Sequence, residues 1–562
     1  MDTNHKNNLI LIFSLIFISA LILINSQNAF FWDTVQLGSL HSNFYFSSNF
    51  SNILLPDHID SGHIPAFGMY IALMWKIFER SLLVSHLAMF PFAIGIVFQL
   101  YKLAQKFTPK KYWGYAMVLI LIDPSLLSQM ILVSPDVPLI FFFLLAVNSV
   151  LYNKRSLIML SVIFLFLISM RGMMLSFCIL LFDLYLNLHY KNYKETALDL
   201  LKRSLIYLPA FLIFVSFSIF HYNTKGWIGF HPNSPWAESF ESVGTIGFIY
   251  NIAVLGWMIL DFGKIGIWIV FTILLIIYRN KILKDPKSQI LLFLFICIVL
   301  LLPANMLWAK GLLGHRYLIP IYLIFALLGV NILFSAYIKN KLRYVMIIIW
   351  SSFIISGNFW IYPPKIAQGW DSTLAHIPYY NLRINAIKYL DKEKIEISKV
   401  ASFFPNTASF DAIDLNNDQR RFSKFNEHNK YLFYSNIFNI SDQEYNRIIN
   451  DYIPIKSFKK NGIFVWICKK KERQLFIFEK LDLIMTHNTN YNPMQIVLIS
   501  SFIHEIQIAQ LKLEHHGIPS IIVDENLNSI IGTSFVEGYK LKVFVTDFEE
   551  AKSIIHLNKS DE

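Results

Sequence analysis

The sequence predicts a polytopic α-helical membrane protein of about eleven transmembrane helices, followed by a small soluble α/β domain and a C-terminal α+β module. Three observations predict it. Hydrophobic residues make up 55% of the 562 and charged residues only 15%, with a mean hydropathy of +0.47, more apolar surface than a water-soluble chain of this length needs. The apolar residues gather into runs close to the ~20 that cross a bilayer. This pattern stops near residue 361, beyond which Asn, Asp and Lys become frequent.

The runs fall at about 9–24, 82–103, 112–132, 137–152, 156–170, 172–188, 205–221, 265–278, 288–306, 317–336 and 344–360. Lys6 precedes the first, and no small-residue cleavage site follows Asn25, so that run is expected to stay as a span rather than leave as a signal peptide. Alternate connections are basic: Lys102, Lys106, Lys110 and Lys111; Lys154 and Arg155; Lys191, Lys194, Lys202 and Arg203; Arg279, Lys281, Lys284 and Lys287; Lys339, Lys341 and Arg343. Basic residues collect in cytoplasmic loops. The net charge of +11 is therefore a topology signal and not a nucleic-acid footprint. Residues 33–63 and everything after 360 are expected on the extracytoplasmic face of the inner (plasma) membrane. The short runs 66–78 and 245–260 end in charged residues and are expected to lie along the interface. Cys178, Cys297 and Cys468 provide no disulfide framework.

Tyr362-Pro363-Pro364 ends the last apolar run, since proline can neither donate to nor fit within a helix interior. This divides the chain into a membrane domain over 1–361, a soluble α/β domain over 362–471 with a strand near 462–467, a linker over 472–492 and a small module over 493–562. In the module, strands are expected at 496–499, 518–523 and 541–545. One helix is expected over 504–516, stopped by Gly517, and another begins with Asp547 as its N-cap.

The chemistry-bearing residues lie at the ends of the apolar runs. Phe31-Trp32-Asp33-Thr34 follows the first, and the same connection passes Asp57 and His58 before Asp60-Ser61-Gly62-His63-Ile64-Pro65. Ser134-Pro135-Asp136-Val137-Pro138 precedes Phe141-Phe142-Phe143, Arg171-Gly172 separates two runs, and Gly314-His315-Arg316-Tyr317-Leu318-Ile319-Pro320 opens another. The charge argument puts all of them on one side. Ionisable groups at a span end are costly unless paired or functional. Ordinary roles compete: helix capping for Asp136, a headgroup anchor for Arg171 and a turn for Asp60 and His63. A glycine-rich phosphate loop, Cys/His metal spacing and a nucleophile motif are all missing from the sequence, which argues against a nucleotide-sugar site.

These motifs, in this order, resemble the GT-C glycosyltransferases, in particular family 39 (the protein O-mannosyltransferases) and the aminoarabinose-transferase-like enzymes. The resemblance covers roughly residues 9–360. It implies an integral membrane glycosyltransferase that moves a sugar from a polyprenyl-phosphate donor to a glycan, lipid or protein acceptor, with inversion. It further implies Asp33 and Asp136 as catalytic residues, Asp33 being the general base. Asp60, His63, Arg171, His315, Arg316 and Tyr317 would bind substrate, with Arg171 and Arg316 on the phosphate. Relatives usually carry paired acids in the first loop, whereas here Asp33 is followed by Thr34, so neither a metal nor another cofactor is indicated. Asp33, Asp136, Arg171 and Arg316 should line a single cavity, with His63 and His315 at its edge. A transporter or flippase for a lipid-linked sugar would need polar or broken helices at mid-bilayer, whereas Pro and ionisable residues here gather at span ends. Leu513-Glu514, Gly517-Ile518-Pro519, Asp524-Glu525-Asn526, Val543-Phe544-Val545, Asp547 and Glu549-Glu550-Ala551 resemble a family of small signal-transducing domains with a ferredoxin-like fold.

Overall fold

Helices occupy each of the stretches where a span is expected. The computed structural model describes residues 3–190, 196–229, 231–232, 234, 236–426, 428–471, 494–500, 503–523 and 539–556. The linker expected at 472–492 and the Asp524-Glu525-Asn526 motif lie outside the described residues. Among those described, six segments are long and apolar enough to cross a bilayer: Thr3–Ile24, Leu82–Phe107, Met170–Leu188, Ile265–Lys284, Pro286–Trp308 and His315–Leu333. Shorter apolar helices run over Ala66–Ile77, Asp136–Leu151, Arg155–Ile168 and Thr245–Leu260. The run at 112–132 is broken in two. Asp123 accepts hydrogen bonds from the Ser125 and Leu126 amides and Pro124 starts a new helix, leaving Trp113–Leu121 and Pro124–Met130 as separate pieces.

Ile24, Ile246, Ile276, Leu300 and Ile348 stand largely exposed on their helices. Apolar surface of this extent would be costly in water, and a hydrocarbon solvent covers it. The chain is an integral membrane protein. At the opposite extreme, every residue of helix Ile319–Leu333 is buried, as its all-round apolar surface demands. Pro286–Leu301, Ile265–Lys284 and Trp113–Leu121 pack around it.

Residues 362–471 build a five-stranded mixed sheet in the order Ser423–Lys424, Val400–Ser402, Tyr431–Ser435, Ile463–Lys470, Tyr452–Lys460. Pro454 sits on the edge strand, beside a register shift, where a missing N–H costs no ladder bond. Helix Pro378–Lys392 packs on the sheet. This part shares one continuous hydrophobic core with the helices. The Phe31 ring stacks 4.7 Å from His376, and Arg80 reaches Asp411 with two hydrogen bonds of 3.0 and 2.7 Å. Residues 1–471 form one compact unit and 472–562 a second.

In the second unit, Tyr539–Phe544 lies between Met494–Ser500 and Ser520–Val523, antiparallel to both. With helix Ile503–His515 joining the outer strands, this is a split β-α-β arrangement. Ile506, Leu513, Leu541, Val543 and Ala551 fill its core. Asp547 closes a 3₁₀ turn, and the last helix runs over Phe548–His556.

Candidate active site

Asp33 lies just past helix Thr3–Ile24, in a connection held by its own backbone. Thr34 Oγ1 donates to the Phe31 carbonyl and accepts from the Phe31 amide, both at 2.8 Å. Trp32 adopts a left-handed φ of +52°, and a π-helical stretch, Val35–Leu40, follows. Both are costly local geometries of the kind that gather at functional sites.

Arg316 and Tyr317 come from a 3₁₀ turn, His315–Leu318, that leads into the buried central helix. Asp136 opens helix Asp136–Leu151. Arg171 sits in the first turn of Met170–Tyr190, where a Cβ on Gly172 would stand 1.9 Å from the Leu165 carbonyl oxygen. Only glycine allows the two helices to meet so closely, and this contact sets where Arg171 emerges.

These side chains converge. The Arg316 guanidinium pairs with Asp33, reaches Asp371 at 3.2 Å and stands 3.7 Å from Asp136. Arg171 donates to Asp136 at 2.5 Å. Both guanidinium groups lie over the Tyr317 ring, at 4.1 and 4.7 Å. The Tyr317 hydroxyl accepts from Arg316 at 2.7 Å and donates to Asp33 Oδ2 at 3.2 Å. Burial pushes the Asp371 carboxyl above its usual range, against the pull of Arg316.

Asp371 is the member that sequence reasoning missed. It lies beyond the last apolar run, and Gly369-Trp370-Asp371 bore no motif. Packing brings it in: its carbonyl accepts from Ser128 Oγ at 2.8 Å and from Gln129 Nε2 at 2.7 Å, which ties the loop to helix Pro124–Met130.

The expected single cavity is two. A cavity of about 140 Å³ is lined by Asp33, His63, Arg171 and Tyr317 among mostly apolar side chains such as Ile64, Phe67, Met174 and Leu312. A larger one, about 500 Å³, is lined by Asp33, His315, Arg316, Tyr317 and Asp371 with several aromatic rings. Asp33 and Tyr317 belong to both walls, because the ion-pair cluster stands between the cavities as a partition. Asp136 lines neither, and sits behind the arginines. No partner is found for Asp33 Oδ1 among the described residues.

The remaining candidates are spoken for. Asp60 is buried, accepting from the Gly62 amide at 2.8 Å, Lys225 at 2.5 Å and His221 at 3.2 Å. Its carboxylate ties the first loop to helix Leu208–Lys225. His315 Nε2 bonds Asp261 at 2.8 Å, a carboxylate that also accepts from the Tyr362 hydroxyl. His315 Nδ1 has no partner among the described residues. Among the described residues no three His, Cys, Asp or Glu side chains gather to hold a metal ion; the three carboxylates here surround guanidinium groups instead.

No family model and no curated protein matches the chain. Among solved structures, it aligns with ArnT from Cupriavidus metallidurans bound to undecaprenyl phosphate at a TM-score of 0.45 and 11% identity, over 80% of this chain and 97% of that one. The apo form of the same protein aligns at 0.44 and 9%, over 81% and 97%. The Archaeoglobus fulgidus oligosaccharyltransferase, in complex with Zn and sulfate, aligns at 0.39 and 11%, over 95% and 88%.

Proposed function

We propose that the protein is a membrane glycosyltransferase that moves a sugar from a polyprenyl-phosphate donor to an acceptor hydroxyl on the extracytoplasmic side, with inversion at the anomeric carbon. One observation carries this reading. Asp33, with one oxygen unpaired among the described residues, stands between an apolar cavity that holds an arginine and a larger polar and aromatic cavity. The donor phosphate meets Arg171 in the apolar cavity, where a planar fork suits phosphate oxygens. The acceptor approaches from the other cavity.

As the acceptor oxygen bonds to the anomeric carbon, the bond from that carbon to the phosphate oxygen breaks and its electron pair stays on the phosphate. The hydroxyl proton passes to Asp33 Oδ1. An oxocarbenium-like sugar makes the attacking hydroxyl acidic as the bond forms, which eases passage of its proton to a carboxylate. Asp136 contributes by aiming Arg171. Arg316, compensated by three carboxylates, is the strut that sets their positions, and the phosphate falls to Arg171. His63 lies on the apolar cavity's wall, within reach of the donor sugar, and Asp60 holds that loop in place.

The test is to incubate purified protein with a panel of polyprenyl-phosphate sugars and follow release of the free lipid phosphate. Release that requires Asp33 and a hydroxyl acceptor is expected. Absence of release across the panel, from protein that binds polyprenyl phosphate, would overturn transfer and leave binding alone.

A further inference from the structure

The larger cavity has a composition of its own. Trp32, Trp236, Trp370 and Phe404 supply its rings, with Trp32 and Phe404 6.0 Å apart at 64°. Around these rings stand buried polar atoms that find no partner among the described residues: Trp32 Nε1, Gln36 Nε2, Trp370 Nε1 and His315 Nδ1. Each belongs to a residue of this one wall. Buried polar atoms are normally satisfied, and three indole or amide N–H donors with one imidazole acceptor left over on one wall point to a ligand that satisfies them. Gly369 assists, because a Cβ there would press to 2.6 Å from His315 Nδ1. The strained φ of Trp32 holds its indole on this wall.

The charges narrow the ligand further. Among the described residues the wall carries two carboxylates, Asp33 and Asp371, and a single cation, Arg316, already shared among three acids. An anionic acceptor would meet net negative charge here. Aromatic faces are electron-rich and suit the C–H-bearing face of a ring, while scattered N–H donors suit hydroxyl oxygens around its rim. A neutral sugar ring has both.

We propose that this cavity is a subsite for a neutral sugar, so that the acceptor offers Asp33 a carbohydrate hydroxyl. This deepens the transferase reading and rests on it for the word acceptor, but the binding site stands on the cavity alone. A volume of about 500 Å³ lies within the range of small-ligand sites, about 300–1,000 Å³.

The test uses the full chain in nanodiscs of phosphatidylethanolamine and phosphatidylglycerol, free of glycosidic detergent. Saturation-transfer NMR is recorded with methyl glucoside, methyl galactoside and methyl mannoside, beside a Ser/Thr peptide and glycerol phosphate. Transfer to the ring protons of at least one glycoside is expected, lost in Phe404→Ala and reduced in Trp370→Phe. Phe404 is 44% exposed, so its truncation spares the fold, and an unchanged melting temperature verifies this. Silence from all three glycosides, glycoside signals that persist in Phe404→Ala, or signals from the peptide or glycerol phosphate instead would overturn the proposal. Polyprenyl phosphate binding and its loss in Arg171→Ala are measured on the same sample. Failure of that arm alone counts against the donor reading and leaves the sugar subsite standing.

Discussion

At the residue scale, the partition between the cavities separates base from binding. Asp33→Asn keeps the shape and removes the proton acceptor, so transfer should fall by about 10²–10⁴-fold while polyprenyl phosphate binding largely survives. Arg171→Ala should do the reverse, weakening that binding by about tenfold to hundredfold as a charge-assisted contact is lost. Arg171→Lys should recover only part of it, since a point charge replaces a fork. Turnover assays and lipid-phosphate titrations on the three variants check this pattern. Asp371 adds a pH signature. Its carboxyl titrates above the usual range because it is buried, so the folded state holds that proton where the unfolded chain, near 3.9, has released it. The fold therefore loses stability as pH rises from about 4 through the raised value, the opposite of an acid whose ion pair outweighs its burial. Asp371→Asn lacks this titration. The melting temperature of the parent should fall relative to the variant over that rise, as scanning fluorimetry would show; a constant difference would contradict the assignment.

At the element scale, the site depends on how closely two helices approach. Gly172 lets Met170–Tyr190 come against the Leu165 carbonyl of Arg155–Ile168. In Gly172→Ala the added methyl cannot fit without a backbone shift, at a cost of about 1–3 kcal/mol. The variant should melt lower and bind polyprenyl phosphate more weakly, because Arg171 moves with the helix start. Normal binding in a destabilised Gly172→Ala protein would mean that the glycine serves packing alone. The broken segment at 113–130 has a comparable function. Its second piece, Pro124–Met130, exists because Asp123 and Pro124 end one helix and start another, and this frees Ser128 and Gln129 to hold the Asp371 loop. A continuous span would have had its polar groups spread along a helix face.

At the scale of the whole molecule, residues 1–471 are one compact unit and 472–562 another. A chain ending at Lys471 should keep its melting temperature and its polyprenyl phosphate binding. Basic loops collect in the cytoplasm, and on that charge argument we propose that the C-terminal module lies outside. A cysteine at the exposed Glu514 should react with an impermeant thiol reagent in intact cells, above the background of the native protein, whose Cys178 and Cys468 are buried and whose Cys297 is half-buried. Labelling only after lysis would reverse the module's sidedness. The local and compositional facts were legible in one dimension: apolar runs, basic loops, proline breaks, and the ionisable residues at run ends, because bilayer thickness and helical rise act on consecutive residues. Asp33, Asp136, Arg171 and the Arg316–Tyr317 pair stand at four such run ends, and the resemblance of their motifs to a known family singled them out. Tertiary structure alone decided their partners. It brought Asp371 to Arg316 from beyond the last helix, consumed Asp60 in a loop tie, and divided one expected cavity into two, because ion pairs and orphan donors depend on packing between segments hundreds of residues apart, which no local pattern encodes.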